Sequence, residues 1–237
     1  MSLRTSLATP EGKSRYVRRL FATIARRYDF ITVALSYGRD RHWKARLIRM
    51  AGPRPGECAL DLACGTGDLT YALARRGAKT IGLDVTPEMI ELACRRRPAG
   101  AGQPRFLVAD MTRQPFPDDA FDLITTGYGL RSAPVLNDAL AEWYRVLKAG
   151  GRLFSLDFNR PEHAVVRAVY LCYLTLVGSA FGLVLHGDPD TYRYIPESIR
   201  RYPGAAGVSA AMTRCGFRQV RYTSVFGGLM AIHSGFK

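Results

Sequence analysis

The sequence predicts an α/β fold, with a doubly wound and mostly parallel seven-stranded sheet closed by a C-terminal antiparallel hairpin. Two observations predict it. Five apolar runs alternate with helical patterns between residues 58 and 157, as parallel βαβ units do. Near the C-terminus, residues 217–225 and 229–235 flank a Phe-Gly-Gly turn, which is typical of a hairpin.

The elements follow from local signals taken in chain order. The predicted parallel strands are 58–63, 79–84, 105–109, 121–126 and 152–157. The predicted helices between them are about 68–76, 87–97 and 135–147, the second opening on Thr86-Pro87 as N-cap and first-turn proline, and the third stopping at Gly150-Gly151. Strand ends carry polar residues, and ligands of such Rossmann-like sheets bind outside the carboxyl ends of the strands.

The most informative segment is a glycine turn between the first strand and its helix. Gly65 and Gly67 allow close approach of main chain to a ligand, and Asp84 at the end of the second strand suits a ribose diol. A dinucleotide site needs a third glycine where Thr70 stands, and Asp68 would repel a pyrophosphate. With Asp61, this acidity suits a cationic nucleoside cofactor, S-adenosylmethionine.

The cysteine and histidine content indicates the redox environment of the protein and argues against disulfide and zinc sites. The five cysteines lack C-x-x-C spacing and the four histidines stand apart, so neither a disulfide framework nor a zinc site is indicated. We therefore expect a reducing, cytoplasmic setting and a metal-free site.

The basic excess is concentrated at the N-terminus. Through Arg54 the chain has thirteen lysines and arginines against three acidic residues, out of a net charge of +14. From Ser14 onward, Val17, Leu20, Phe21 and Ile24 recur at helical spacing between arginines, which predicts a basic amphipathic helix. We interpret residues 1–54 as a basic helical cap on a domain at 55–237. Its charge suits nucleic acid, an anionic membrane or merely solvent.

An uncharged run at 168–185 lies inside a helical insertion at about 160–200. Its length approaches that of a membrane span, but a span would split the sheet domain across the bilayer. A buried core helix is the alternative. We favour a helical lid that lines a pocket for a long apolar substrate.

Several segments resemble the ubiquinone/menaquinone biosynthesis C-methyltransferases, class I methyltransferases in fold. The resemblance covers about residue 22 to the C-terminus. The matching segments include Tyr28-Asp29, Ser36-Tyr-Gly, Trp43-Lys44, Leu60-Asp-Leu-Ala-Cys-Gly-Thr-Gly-Asp68, Gly129-Leu-Arg131 and Tyr192-Arg-Tyr-Ile-Pro-Glu-Ser-Ile199. The segments at Gly129 and Tyr192 are far more specific than the glycine turn, which many methyltransferases share.

The resemblance implies methyl transfer from S-adenosylmethionine to a ring carbon of a polyprenylated quinol. It assigns cofactor contacts to Thr66, Asp84, Asp110 and Met111. Gly127, a further cofactor position, stands where relatives commonly have serine. Arg131 matches an arginine that assists deprotonation of the ring hydroxyl; the asparagines expected near it and after Tyr28-Asp29 are Ser132 and Thr32 here.

The chemistry supports a role for these residues. A phenolate makes its ring carbon nucleophilic, and a cation such as Arg131 stabilises the oxyanion without acting as base, since its pKa exceeds about 12. Tyr28, Tyr192, Tyr194 and Glu197 are candidates for orientation or proton relay, whereas His233 is expected to be structural.

Other functions remain open at this point. They are methylation of another phenolic or isoprenoid molecule, a nucleic-acid methyltransferase, and a non-catalytic cofactor-binding scaffold. No Asp/Asn-Pro-Pro-aromatic loop follows the fourth strand, so we expect no nucleic acid partner. The sequence leaves open homo-oligomerisation and peripheral contact with the inner face of an anionic membrane.

Overall fold

The computed structural model describes residues 3–100 and 102–237. The strands are β1 (Cys58–Leu62), β2 (Lys79–Asp84), β3 (Arg105–Val108), β4 (Phe121–Gly127), β5 (Leu147–Phe158), β6 (Arg218–Val225) and β7 (Met230–Phe236). The helices are α1 (Leu3–Ser6), α2 (Pro10–Ile24), α3 (Tyr28–Leu35), α4 (Asp40–Ala51), α5 (Asp68–Ala74), α6 (Pro87–Arg96), α7 (Leu136–Val146), α8 (Ala164–His186), α9 (Tyr194–Arg201) and α10 (Gly204–Arg214).

The seven strands form one sheet in the order β3-β2-β1-β4-β5-β7-β6. Strands β1 to β5 pair in parallel, and β7 pairs antiparallel with both β5 and β6. The predicted fold class, including the closing hairpin, is confirmed.

Alternation along the central strands fills a core on each face of the sheet. Leu60 and Ile124 pack in the cluster that includes residues of α7 and α10, whereas Ala59 and Leu123 pack in the cluster of α4 and α5. Helices on both faces are what make the fold doubly wound.

Strand order reverses between β1 and β4, because β2 and β3 lie on one side of β1 and β5 lies on the other. A crevice forms at the carboxyl ends of strands where such an order reverses. The glycine turn and the Gly129-Leu-Arg131 segment leave the sheet at this place. Topology alone therefore brings these two motifs together.

One predicted boundary is wrong. Helix α7 ends at Val146, and Gly150-Gly151 lies inside β5 instead of ending the helix. Phe121 pairs with Leu147, but Leu123 pairs with Arg152, so the extra residues of β5 form an irregular bulge. Gly150 takes a φ of +76° there, which suits glycine in a bulge.

The basic N-terminal helix is α2, which starts at Pro10, with the Thr9 side chain accepting a bond from the Gly12 amide. Val17, Leu20 and Ile24 are buried as predicted. Helix α4, in contrast, buries Trp43 in the core of the sheet. Division into two parts at residue 54 stays a prediction.

Helix α8 contains the uncharged run and is long and apolar enough to cross a membrane, but only 28% of its most apolar window is buried. It is therefore not a buried core helix. Its inner face packs on α9 through Leu171 and Leu174, which contact Ile199. On its outer face Val169 is 65% and Leu176 66% exposed.

Candidate active site

A first cavity lies over the carboxyl ends of β1, β2 and β4, and it encloses about 670 Å³ of space, its mouth included. Helix α2 closes it from above through Ser14, Val17 and Phe21. Five of the eight predicted cofactor residues line it, namely Gly65, Asp84, Asp110, Met111 and Gly127. Thr66, Gly67 and Asp61 are not among the described residues of its wall.

The glycine turn brings main chain close to the cavity. Gly65 has a φ of +54°, and a Cβ at this position would lie 3.4 Å from Cε1 of Tyr28. The Gly65 amide donates to Asp84 Oδ2 (2.9 Å). The turn is thereby fixed to the end of β2, which is the pairing that the sequence predicts for a nucleoside site.

Asp84 is buried and keeps acceptor capacity for a ligand. Its Oδ1 accepts a hydrogen bond from the amide of Thr86 (2.9 Å). Thr86 takes the predicted N-cap position of α6, although in the described chain the Thr86 hydroxyl makes no capping bond. Each carboxylate oxygen therefore retains a lone pair, as two adjacent ribose hydroxyls require. Burial raises the pKa of Asp84 above its usual range despite these amide bonds.

The neighbouring wall suits a flat purine. Met89 and Leu83 supply apolar surface, and Met111 is held by its carbonyl, which accepts from Trp143 Nε1 (2.9 Å). Asp110 Oδ1 accepts both the amide and the hydroxyl of Thr112. The buried carboxylates and the apolar side chains of this cavity together fit the ribose and the adenine of S-adenosylmethionine.

Asp61 and Thr66 act one layer away from the cavity. Asp61 accepts hydroxyl bonds from Thr70 (2.7 Å) and Thr125 (3.0 Å), and burial raises its pKa to about 7. Thr66 donates to Asp29 Oδ1 (2.6 Å) at the start of α3. The structure thus gives both residues a part in holding the turn, and their direct contact with a cofactor stays a prediction.

The role expected of Asp68 is wrong. Its carboxylate pairs with Lys44 (2.7 Å) and with Arg96, so its charge is already neutralised by protein cations. Burial alone would raise the pKa of Asp68, but these two cations outweigh it and lower that pKa. Asp68 therefore anchors α4 and α6 to the turn instead of attracting a sulfonium.

A second cavity of about 580 Å³, its mouth included, adjoins the first. Leu20, Ile24, Ile31, Leu35 and Ile195 make most of its wall apolar. Phe21, Tyr28 and Tyr128 line both cavities. These three side chains are therefore the wall that the two cavities share, and molecules bound in the two cavities would be neighbours.

Arg131 lines the second cavity as its one charged residue in the described part of the wall. Asp157 Oδ2 accepts its amide (2.8 Å) and Oδ1 accepts its Nε (3.3 Å), while Nη1 donates to Ser198 Oγ. Its guanidinium also lies 5.2 Å from the ring centroid of Phe158 and 5.5 Å from that of Tyr194. These contacts fix the guanidinium in one orientation.

The predicted tyrosines lie around the same cavity. Burial raises the pKa of Tyr28 and of Tyr192 to about 12, so both stay protonated at neutral pH. Tyr192 makes a 2.9 Å hydrogen bond with His186 Nε2, and Tyr194 donates to Ser132 Oγ (3.2 Å). They are suited to donate hydrogen bonds and not to accept protons.

Glu197, a predicted candidate for orientation or proton relay, lies away from the cavities, and its part in the reaction stays a prediction. It lies on α9 outside the described walls of both cavities, and its carboxylate pairs with Arg200 (3.2 Å) and Arg201 (3.3 Å). Residues three and four apart on a helix are neighbours, which explains this pairing. Glu197 therefore stabilises α9.

A chain of polar residues that the sequence did not reveal begins at Tyr128, which lines both cavities, and runs away from them. Tyr128 donates to Asp40 Oδ1 (2.8 Å), and Asp40 Oδ2 pairs with Lys44 (2.9 Å), which in turn reaches Asp68. Burial alone would lower the pKa of Lys44, but Asp68 and Asp40 outweigh it and raise that pKa. The signal was the Trp43-Lys44 motif, although its spacing from Asp68 gave no hint of contact.

The structure shows the surroundings of the three positions that depart from the related sequences. A Cβ on Gly127 would lie 3.1 Å from Cδ1 of Leu69, so a serine there requires Leu69 to shift. Ser132 lines the first cavity and accepts the Tyr194 hydroxyl. Thr32 lines the second cavity.

Comparison with known protein families shows which family the chain belongs to. The model of the ubiE/COQ5 methyltransferase family matches residues 9–237. The chain belongs to this family. Membership confirms the predicted enzyme class and methyl donor, a methyltransferase that uses S-adenosylmethionine.

Named relatives agree. A ubiquinone/menaquinone biosynthesis C-methyltransferase UbiE from Marinomonas sp. is 38% identical, covering 96% of this chain and 92% of that protein. A demethylmenaquinone methyltransferase from Thermus thermophilus is 40% identical, covering 91% of this chain and 99% of that protein. These names support the predicted quinone C-methylation.

Solved structures support the fold. A SAM-dependent methyltransferase from Thermotoga maritima aligns with a TM-score of 0.65 at 19% identity, covering 93% of this chain and 99% of that chain. One from Aquifex aeolicus aligns with a TM-score of 0.59 at 20% identity, covering 81% of this chain and 88% of that chain. At such identities the likeness concerns the fold alone.

Proposed function

We propose that the chain transfers a methyl group from S-adenosylmethionine to a ring carbon of a polyprenylated quinol, with the quinol ring in the second cavity. One observation carries this assignment. A cavity suited to a nucleoside and an apolar cavity with a buried arginine share Phe21, Tyr28 and Tyr128 as a common wall. The names of the relatives supply the quinol as the acceptor.

Arg131 is the residue that activates the acceptor. Its guanidinium is a cation, so it stabilises a ring oxygen that has lost its proton. The proton leaves to water, and the negative charge raises electron density at the adjacent ring carbon. S-adenosylmethionine, when bound, would supply the methyl group: the carbon–methyl bond forms as the sulfur–methyl bond breaks, and S-adenosylhomocysteine is the leaving group. The methylated ring carbon then loses its hydrogen as a proton to water, which restores the aromatic ring.

The aromatic walls orient the ring. Phe158 and Tyr194 both lie close to the guanidinium, and all three residues line the second cavity. Tyr28 keeps its proton and donates a hydrogen bond to an acceptor oxygen. Apolar residues around the ring exclude water and so strengthen the attraction between cation and oxyanion.

The acceptor is tested by product analysis. The protein is incubated with methyl-labelled S-adenosylmethionine and separate panels of demethylated naphthoquinols, benzoquinols, simple phenols and nucleic acid, and product masses are measured. We expect one added methyl on a polyprenylated quinol. Label appearing first on a simple phenol favours another phenolic or isoprenoid acceptor; label only on nucleic acid, or nowhere, refutes the proposal.

We further propose that the protein is cytoplasmic and lies peripherally on an anionic membrane, through the outer face of α8. This face presents Val165, Val169, Leu176, Leu183 and Val184, all at least 59% exposed. Phe30 of α3 continues the surface and contacts Phe181 of α8, with ring centroids 6.3 Å apart. Such a contiguous apolar surface is typical of contact with a partner or membrane.

Cations beside this surface favour anionic lipid over a protein partner. Arg39 is exposed and lies 5.9 Å from the ring centroid of Phe226, itself part of the same exposed region. Exposed Arg27 lies close enough to His186, at the C-terminal end of α8, to help burial lower the pKa of that imidazole. Apolar and basic surface together are what peripheral membrane proteins present.

Membrane binding is tested by sedimentation with phosphatidylcholine vesicles that contain or lack phosphatidylserine. We expect the wild type to pellet with the anionic vesicles at low salt, and the double variant Val169→Asn/Leu176→Asn to remain in the supernatant. Val108→Asn, at an exposed apolar position on β3, is the matched control and should pellet like the wild type. Equal pelleting of both variants refutes the role of α8. Homo-oligomerisation stays a prediction that light scattering checks.

A further inference from the structure

Helix α2 carries a lysine that reaches the loop holding Arg131. The Lys13 ammonium donates to the carbonyl oxygen of Arg131 (3.1 Å) and to that of Ala133. The two ends of this contact are 118 residues apart in sequence, so it forms only when α2 lies against the sheet. Nothing in the local pattern around Lys13 predicts it.

Arg131 is therefore held from two directions. Asp157 accepts its amide and its Nε from the strand side, and Lys13 donates to its carbonyl from the side of α2. We propose that Lys13 is a positioning residue that acts through Arg131, by fixing the loop 129–133 in the conformation that presents the guanidinium to the second cavity. The inference rests on the proposed function only for the role of Arg131.

The placement of Lys13 also links the loop to the cover of both cavities. Ser14 and Val17, next to Lys13 in α2, line the first cavity, and Leu20 lines the second. The same helix therefore covers the cavities and supports the loop that carries Arg131.

Charge gives Lys13 a second effect on the acceptor. The charged groups that act on its ammonium are Arg131 after β4, Asp157 of β5 and Arg201 of α9. The two positive charges of Lys13 and Arg131 exceed the single negative charge of Asp157. This surplus of positive charge favours an oxyanion in the adjoining cavity. Burial and the Arg131 charge lower the pKa of Lys13 to about 8. The surplus consequently falls as pH rises through this value.

The test compares Lys13→Met and Lys13→Arg with Arg15→Met, a control at an exposed position of the same helix. Three quantities are measured with demethylmenaquinol as acceptor: kcat and KM, the pH profile of kcat between 6.5 and 9.5, and amide hydrogen exchange in residues 129–133. Circular dichroism verifies folding of each variant.

For Lys13→Met we expect kcat to fall about tenfold with little change in KM, and exchange in 129–133 to be faster. Lys13→Arg should restore most of kcat. It should also lack the decline of the wild-type kcat above pH 8, because a guanidinium keeps its charge. Arg15→Met should match the wild type throughout.

Unchanged exchange in Lys13→Met, or an alkaline decline in Lys13→Arg equal to that of the wild type, overturns the inference. If Lys13→Met does not fold, the arginine variant alone decides through its pH profile. If the wild type methylates no quinol, the proposed function fails, but hydrogen exchange still tests the action of Lys13 on the loop.

Discussion

Removing the Asp157 carboxylate should destabilise the protein strongly, because it leaves the Arg131 cation buried without its counterion. The two side chains are 1% and 4% exposed, and Asp157→Ala also removes the acceptor of the Arg131 amide. Breaking a buried ion pair by deleting one partner costs about 3–5 kcal/mol. For a chain of this size each kcal/mol lowers Tm by about 2–4 °C, so we expect a decrease of roughly 10 °C.

The assay is urea unfolding followed by circular dichroism and fluorescence, whose coincidence verifies a single transition. A double-mutant cycle with Arg131→Met isolates the pair, because Arg131→Met/Asp157→Ala contains neither of its two charges. We expect the double variant to be more stable than Asp157→Ala and still inactive. Asp118→Ala, which breaks the exposed pair with Arg145, is the control and should cost under about 1 kcal/mol. Additive single effects, or an Asp157→Ala cost no larger than that of the control, would refute the reasoning.

Three further changes test other parts of the site and core. Asp84→Ala should weaken S-adenosylmethionine binding at least about tenfold in calorimetry, since a carboxylate that accepts two hydroxyls is lost; an unchanged titration contradicts the assignment of the first cavity. Arg131→Ala should lower kcat about a hundredfold with little effect on cofactor affinity, and wild-type turnover would remove Arg131 from the mechanism. His233 is buried with its pKa lowered to about 4, so the unfolded chain gains its proton first and stability is lost as pH falls from about 6.5 toward 4. His233→Gln should remove about 2 kcal/mol of this loss at pH 5, and equal pH dependence of the two proteins would show that His233 is not its source.

The sheet could be predicted because its signals are local. Apolar runs, turn glycines and the Phe-Gly-Gly hairpin each act over a few residues. The prediction that a helix ends at Gly150-Gly151 was wrong because glycine is equally suited to a helix end and to a bulge.

In the candidate site, too, residues marked by local signals could be predicted, whereas contacts between distant segments could not. Gly65, Asp84 and Arg131 could be found because strand ends and family motifs mark them. The ion pairs of Asp68 and Glu197 were not foreseen, since a carboxylate in sequence gives no sign of the cation that pairs with it in space. Lys13 escaped notice altogether, because its carbonyl acceptors lie more than a hundred residues away.

The outer face of α8 also affects behaviour in solution. An apolar surface of this length promotes self-association, and the net charge of +14 opposes it by repulsion between molecules. Added salt screens that repulsion and leaves the apolar attraction in place. Salt should therefore weaken adhesion to anionic lipid and at the same time reduce colloidal stability, so that low ionic strength is the condition in which the purified protein stays dispersed.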